Sequence, residues 1–239
     1  MEINNCKNCN CQTNGNFCSN CGHLVKLKKI DRDYVFHEIK DTLFADKGFV
    51  YTTRRMVISP GDSVRDYITE DRSRYVKPVT YLFITSLIYT LTIHFFKIDY
   101  LAQFDTSGAP ALDNINRWMV ENQGYAGIIL GLYMAFWVKL LFRKAGYNLY
   151  EIFILMCYIT GVSTLLVSVA SILLSLMHVD FLLPTAYLSM IYEIWAIGQF
   201  FDKKKAKSYI KATLAYILGL LVISFIAFIG VIIEILIRQ

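Results

Sequence analysis

The chain has 239 residues, of which 55% are hydrophobic and 15% aromatic, and a mean hydropathy of +0.42, so it is too apolar for an ordinary soluble domain. Its net charge of +5 does not argue for nucleic acid, because in so apolar a chain the placement of Lys and Arg matters more than their sum. What remains is an all-α polytopic membrane protein, with one small exception at the start.

Five of the six cysteines fall in residues 6–21. Cys6-x-x-Cys9 and Cys18-x-x-Cys21, with eight residues between them, are two knuckles that each deliver a pair of sulfurs, the supply a tetrahedral zinc site needs. Met1 to Cys21 has neither a basic n-region nor an apolar h-region, so no cleaved leader is expected. In a reducing cytoplasm such thiols bind metal rather than form disulfides, and zinc would fold a segment with almost no apolar core. We therefore expect a small β zinc ribbon over residues 1–25, its tip at Asn14-Gly15 and Phe17 against the metal. Cys11 reads as a spare thiol because Cys-x-Cys suits a paired knuckle poorly, and His23 as a residue beside the site. One Lys, one Glu and no Arg in residues 1–25 leave nothing to neutralise phosphates, so no nucleic-acid partner is expected.

Residues 26–77 read as amphipathic interfacial helices. Val35, Phe36, Ile39, Leu43 and Phe44 share one helical face; Phe49, Val50, Thr53, Met56 and Val57 share a second; Ser59-Pro60-Gly61-Asp62 then stops that helix and restarts the chain. A third helix is expected from Asp62 or Ser63, carrying Val64, Tyr67 and Ile68. Such helices lie on lipid headgroups, pack against the spans, or do both. Arg72, Arg74 and Lys77, just before the first span, are expected to contact anionic headgroups.

Five spans are expected over 78–239, near Pro78–Phe96, Gly124–Phe142, Tyr150–Met177, Phe181–Phe201 and Tyr209–Ile237. A surface helix from Ala111 to Glu121, anchored by Trp118, is expected between the first two. Residues 1–77 hold 13 Lys and Arg, 97–123 hold two, 139–144 three, 178–180 none and 202–211 five. This alternation predicts a cytoplasmic N-terminus and an outside C-terminus in the cell membrane.

Ionisable groups inside spans are expensive and rare. Glu193 is flanked on both sides by apolar residues, while Lys139 and Glu151 lie near the same ends of neighbouring spans. The functional reading is a shared polar cluster lining a groove; the bland one is a structural bond between helices, with Lys139 snorkelling and Glu151 starting its helix. Glu234 and His94 lie near span ends and reach the interface. Ser163, Ser168, Ser171, Ser175 and Gly161 read first as helix-packing surface. No nucleophile elbow, zincin, Walker or dinucleotide motif occurs, so no enzyme is expected.

Several motifs occur in a recognisable order: Asn16-Phe17-Cys18-Ser19-Asn20-Cys21-Gly22-His23, Lys47-Gly48-Phe49-Val50-Tyr51-Thr52, Ser59-Pro60-Gly61, Val64-Arg65-Asp66-Tyr67-Ile68 and Asp71-Arg72-Ser73-Arg74-Tyr75-Val76-Lys77-Pro78. Through them, and more loosely through Tyr147-Asn148-Leu149-Tyr150-Glu151, the chain resembles an uncharacterised family of bacterial membrane proteins, domain of unknown function 3667. The resemblance covers about the first 95 residues and implies a cytoplasmic zinc ribbon on a helical membrane domain in a bacterial inner membrane; Cys11 departs from the usual ribbon. It implies no reaction. The sequence thus leads to a non-enzymatic membrane protein whose ribbon docks a cytoplasmic protein or regulates the bundle. The alternative is a transporter or lipid-handling, scrambling protein built around Glu193. Membrane lipids are partners in both, and self-association is allowed.

Overall fold

The computed structural model describes residues 4–5, 9, 11–13, 18–21, 48–98, 110–177 and 182–238, and it divides into two compact units, Met1–Ala45 and Asp46–Gln239. Cys6, Phe17, His23 and the helix expected over Val35 to Phe44 lie outside the described residues. In the first unit, β1 (Asn4–Asn5) pairs antiparallel with β2 (Gln12–Thr13), Asn4 facing Thr13. Two residues a side close a loop without making a sheet that stands alone.

The described part of the second unit is helical. Helix α1 (Phe49–Ile58) buries Thr52 and Met56, one turn apart, and turns at Ser59 directly into α2 (Pro60–Thr69). The expected start of α2 at Asp62 or Ser63 is too late. Pro60 occupies the first helical position, where its fixed φ is preorganised and its missing N–H costs nothing, so Pro-Gly lies inside the new helix rather than ahead of it. The Ser63 hydroxyl donates to the carbonyls of Ser59 (2.7 Å) and Arg55 (3.0 Å) and fixes the corner. Glycine is required at position 61, because a Cβ there would meet the backbone of Gln199 and Phe200. These helices belong to the same compact unit as the spans.

A 3-10 turn, Arg72–Arg74, leads into α3 (Pro78–Phe96). There follow α4 (Pro110–Glu121), α5 (Gln123–Leu141), α6 (Leu149–Leu176), α7 (Leu182–Asp202) and α8 (Ala206–Arg238). Helix α6 is central, packed on by α3, α5 and α7, and 61% of its most apolar stretch is buried, against 28% or less in the other candidate spans. It starts on a reciprocal cap: Asn148 Oδ1 accepts from the Glu151 N–H (2.9 Å) and Glu151 Oε2 from the Asn148 N–H (2.7 Å).

Among the described residues, four stretches are long and apolar enough to cross a membrane: Arg72–Phe96, Gln123–Leu141, Leu149–Leu176 and Ala206–Ile232. They coincide with four of the five expected spans. The span expected at 181–201 forms α7, which at ~1.5 Å per residue is of spanning length, but Thr185, Ser189, Glu193 and Gln199 leave it short of the others in apolarity.

Polarity in this unit is arranged inside out. Phe83, Leu87, Leu91 and Phe95 make an exposed stripe at four-residue spacing along α3, whereas Thr85, Ser86, Ser163, Thr164, Ser168 and Ser171 are buried. On α7 the exposed residues include Leu183, Leu188 and Ile191, and the buried ones Thr185 and Glu193. A bundle in water would reverse that choice.

Candidate functional site

A cavity of about 470 Å³ lies among α5, α6, α7 and α8, and Glu193 is its only acidic lining residue among those described. Glu193 is 7% exposed. Its Oε2 accepts a 2.7 Å hydrogen bond from the Tyr216 hydroxyl of α8. Ser163 of α6 and Ser189 of α7, whose hydroxyls are 2.6 Å apart, lie within hydrogen-bonding reach of the same carboxyl. Three helices therefore meet at one acidic side chain, and Thr160 and Thr164 extend the polar stripe along α6. Small residues are part of the lining: Ala126, Gly127 and Gly131 of α5 and Gly219 of α8. The Tyr133 hydroxyl donates to the Gly219 carbonyl (2.7 Å), tying α5 to α8 beside the cavity. From Tyr133 the lining runs along α5 to Gln123, ten residues or ~15 Å, and Met119 of α4 joins it there.

The three charges expected to share a cluster do not meet. The Lys139 ammonium donates to the Tyr147 carbonyl, Glu151 is committed to the cap of α6, and Glu193 lies in the cavity. The reason is helical rise. Glu193 faces Ser163, which is twelve residues beyond Glu151 on one continuous helix, or ~18 Å. The true partners, Tyr216, Ser163 and Ser189, were not predicted as a site. Thr160, Ser163 and Thr164 at helical spacing were the available signal, but such a stripe usually means packing.

A second set of contacts ties α2 to the end of α7. The Gly61 N–H donates to Gln199 Oε1 (2.7 Å), and the Arg65 guanidinium donates to the carbonyls of Gln199 (3.2 Å) and Phe200, among the last carbonyls of that helix. Asp62 pairs with Arg65 and with Lys203 (3.0 Å). Burial pushes the Asp62 carboxyl up, but the hydrogen bonds and charges of Lys203 and Arg65 outweigh it and hold the group below its ordinary 3.8. Arg72, Arg74 and Lys77 are exposed beside the start of α3; Arg74 pairs with Asp71 at 3.1 Å and Arg72 reaches the Ile68 carbonyl at 3.4 Å.

In the first unit, the sulfurs of Cys9, Cys18 and Cys21 all lie within 4.8 Å of one another, with Cys9 and Cys18 at 3.5 Å. Four sulfurs at ~2.3 Å from a tetrahedral zinc ion would stand about 3.8 Å apart, so the donor type and spacing fit that metal. Hydrogen bonds from the backbone N–H groups of Cys21 and Asn20 hold the Cys18 thiol down to about 6, with burial opposing them and the Cys9 and Cys21 side chains adding to them. That favours the thiolate a metal needs. Cys11 lies outside this group and its sulfur accepts from the Asn20 amide (3.3 Å). Cys6 lies outside the described residues.

Residues 46–90 match the model of a family described as a protein of unknown function, DUF3667. That segment belongs to the DUF3667 family. It contains α1, α2, the Arg72–Arg74 turn and most of α3. In the DUF3667 segment the motif residues are mainly joints: Ser59 and Pro60 make the corner, Gly61 and Arg65 hold α7, and the Tyr75 hydroxyl donates to Asp66 (2.7 Å). No curated protein and no solved structure matches the chain.

Proposed function

We propose that this is a non-enzymatic, multi-pass membrane protein that binds a small molecule or lipid at Glu193 and moves it within or across the bilayer. The observation that carries the reading is a buried carboxyl, bonded by Tyr216 and lining a cavity of about 470 Å³. An acid in an apolar bundle is costly, and a purely structural hydrogen bond needs no cavity beside it. The inside-out polarity of α3 and α7 favours lipid around both helices, so α7 crosses the membrane in the same bundle as the four more apolar helices, packed on α6 and α8. With the alternation of Lys and Arg, five spans give a cytoplasmic N-terminus and an outside C-terminus in the cell membrane, and Arg72, Arg74 and Lys77 then sit at the cytoplasmic headgroups.

The test is transport in proteoliposomes, following both a fluorescent lipid and small solutes. The wild type moves one of them, and Glu193→Gln, which keeps the shape and removes the charge, abolishes that movement. No movement by the wild type, or movement unaffected by the substitution, would refute the reading.

The grouping of Cys9, Cys18 and Cys21 supports a second role in the same molecule. With Cys6 as the fourth ligand they form a structural zinc site, and the resulting cytoplasmic ribbon docks a protein partner or regulates the bundle.

A further inference from the structure

We infer that the Glu193 cavity is a site for a lipophilic monovalent cation, because one buried carboxyl, three tyrosine rings and apolar walls meet in a space with a mouth between α5 and α8. The inference names the ligand class for the cavity proposed above and rests on that reading.

Charge is the first argument. Among the described residues the lining includes Glu193 and no Lys, Arg or His. The neighbours of Glu193 are hydroxyls, which hydrogen-bond a carboxylate but do not neutralise it. A ligand cation supplies the partner that the protein does not, whereas an anion would face an uncompensated like charge in low dielectric.

The walls decide what kind of cation. Tyr89, Tyr133 and Tyr216 line the cavity, and the faces of such rings attract organic cations. Val167, Leu130 and Ile223 supply apolar surface. A Ca2+ ion takes six to eight oxygen ligands with carboxylates prominent among them, and the described lining supplies one carboxylate. The volume falls within the range, roughly 300–1,000 Å³, of sites that enclose drug-sized molecules.

The mouth decides the route. Leu130, Leu220 and Ile223 border the cavity and are 36%, 50% and 39% exposed, on the flank where α5 and α8 present lipid-facing side chains. A ligand dissolved in the bilayer enters there without crossing water.

The test uses the full chain in phosphatidylcholine nanodiscs and two probes of the same size and opposite charge, radiolabelled tetraphenylphosphonium and tetraphenylborate. The wild type should bind the phosphonium saturably, Glu193→Gln should weaken that binding by about tenfold or more, and the borate should show no saturable binding. Leu220→Trp narrows the mouth at a lipid-facing position outside the packed core, and it should slow phosphonium association. Equal binding of both probes overturns the inference, as does a Glu193→Gln protein that binds phosphonium like the wild type. Should Glu193→Gln prove misfolded by gel filtration, Leu220→Trp carries the test alone, and an unchanged association rate refutes lateral entry. The two proposals fail separately. Loss of transport in Glu193→Gln with no phosphonium binding by the wild type removes only the ligand class, while transport indifferent to Glu193 removes the cavity as the working site.

Discussion

Replacing Gly61 by Ala adds one methyl group at the tightest joint of the fold. That carbon would overlap the carbonyl of Gln199 and the nitrogen of Phe200, which are backbone atoms and cannot swing aside as a side chain would. Helix α2 must therefore move off α7. The shift weakens the Gly61 hydrogen bond to Gln199, a neutral bond worth ~0.5–1.5 kcal/mol, and the charge-assisted bonds of Arg65 to the Gln199 and Phe200 carbonyls, worth ~1.5–3 kcal/mol each when intact. It also disturbs Val64 and Met56, both fully buried. Overpacking of this kind typically costs ~1–3 kcal/mol, and with partial loss of the polar contacts we expect about 2–4 kcal/mol. For a chain of this size that is a fall in Tm on the order of 5–15 °C. The assay is thermal unfolding in a mild detergent, followed by loss of the monodisperse gel-filtration peak. Gly230→Ala is the control, since a Cβ there meets nothing within 4 Å. If Gly61→Ala melts within a degree of wild type, the α2–α7 joint described here is wrong.

Two further predictions concern the charged joint and the thiols. Because the folded Asp62 carboxyl titrates below its unfolded value, its contribution is fully present above about pH 4 and is lost as pH falls through the lower folded value. Wild type should therefore melt above Asp62→Asn at pH 7, and the gap should close as melts are taken below pH 4; a gap that does not change with pH contradicts the ion-pair account. Substituting Ser for both Cys18 and Cys21 should abolish bound zinc, measured by elemental analysis of the purified chain, and remove one specific partner from a crosslinked pull-down. Stoichiometric zinc in that variant would refute the ligand set.

Hydropathy carried the helices further than it carried the site. The first expected span and α3 share the same ends, Pro78 and Phe96, because Pro starts that helix and Lys97, in the left-handed region, ends it. The other described spans begin and end within a few residues of expectation, since a run of apolar residues is a local property. Glu193 was legible as an anomaly for the same reason. Its partners were not, because Tyr216, Ser163 and Ser189 are brought to it by tertiary packing of three helices, and the sequence distances between them carry no trace of it. The cluster of Lys139, Glu151 and Glu193 failed on the same ground. Shared depth near one leaflet was taken for proximity, whereas helical rise separates Glu151 from the cavity. The fourth expected span, α7, is less apolar than the other four and draws its burial from α2, α6 and α8 rather than from its own composition.

That last property bears on how the protein is made. A helix carrying Glu193 and Gln199 is a poor substrate for insertion by itself, since a central acidic residue disfavours partitioning by ~2.5–3.5 kcal/mol. Tyr216 and Ser163, the residues that offset this, belong to the helices made immediately after and before it. If α7 spans the bilayer as proposed, it is expected to wait at the insertion machinery for α8 and to enter with it as a hairpin against α6. A chain truncated before residue 206 would leave α7 stranded at the surface, and quality control, rather than loss of the cavity's chemistry, would be the first to register the defect.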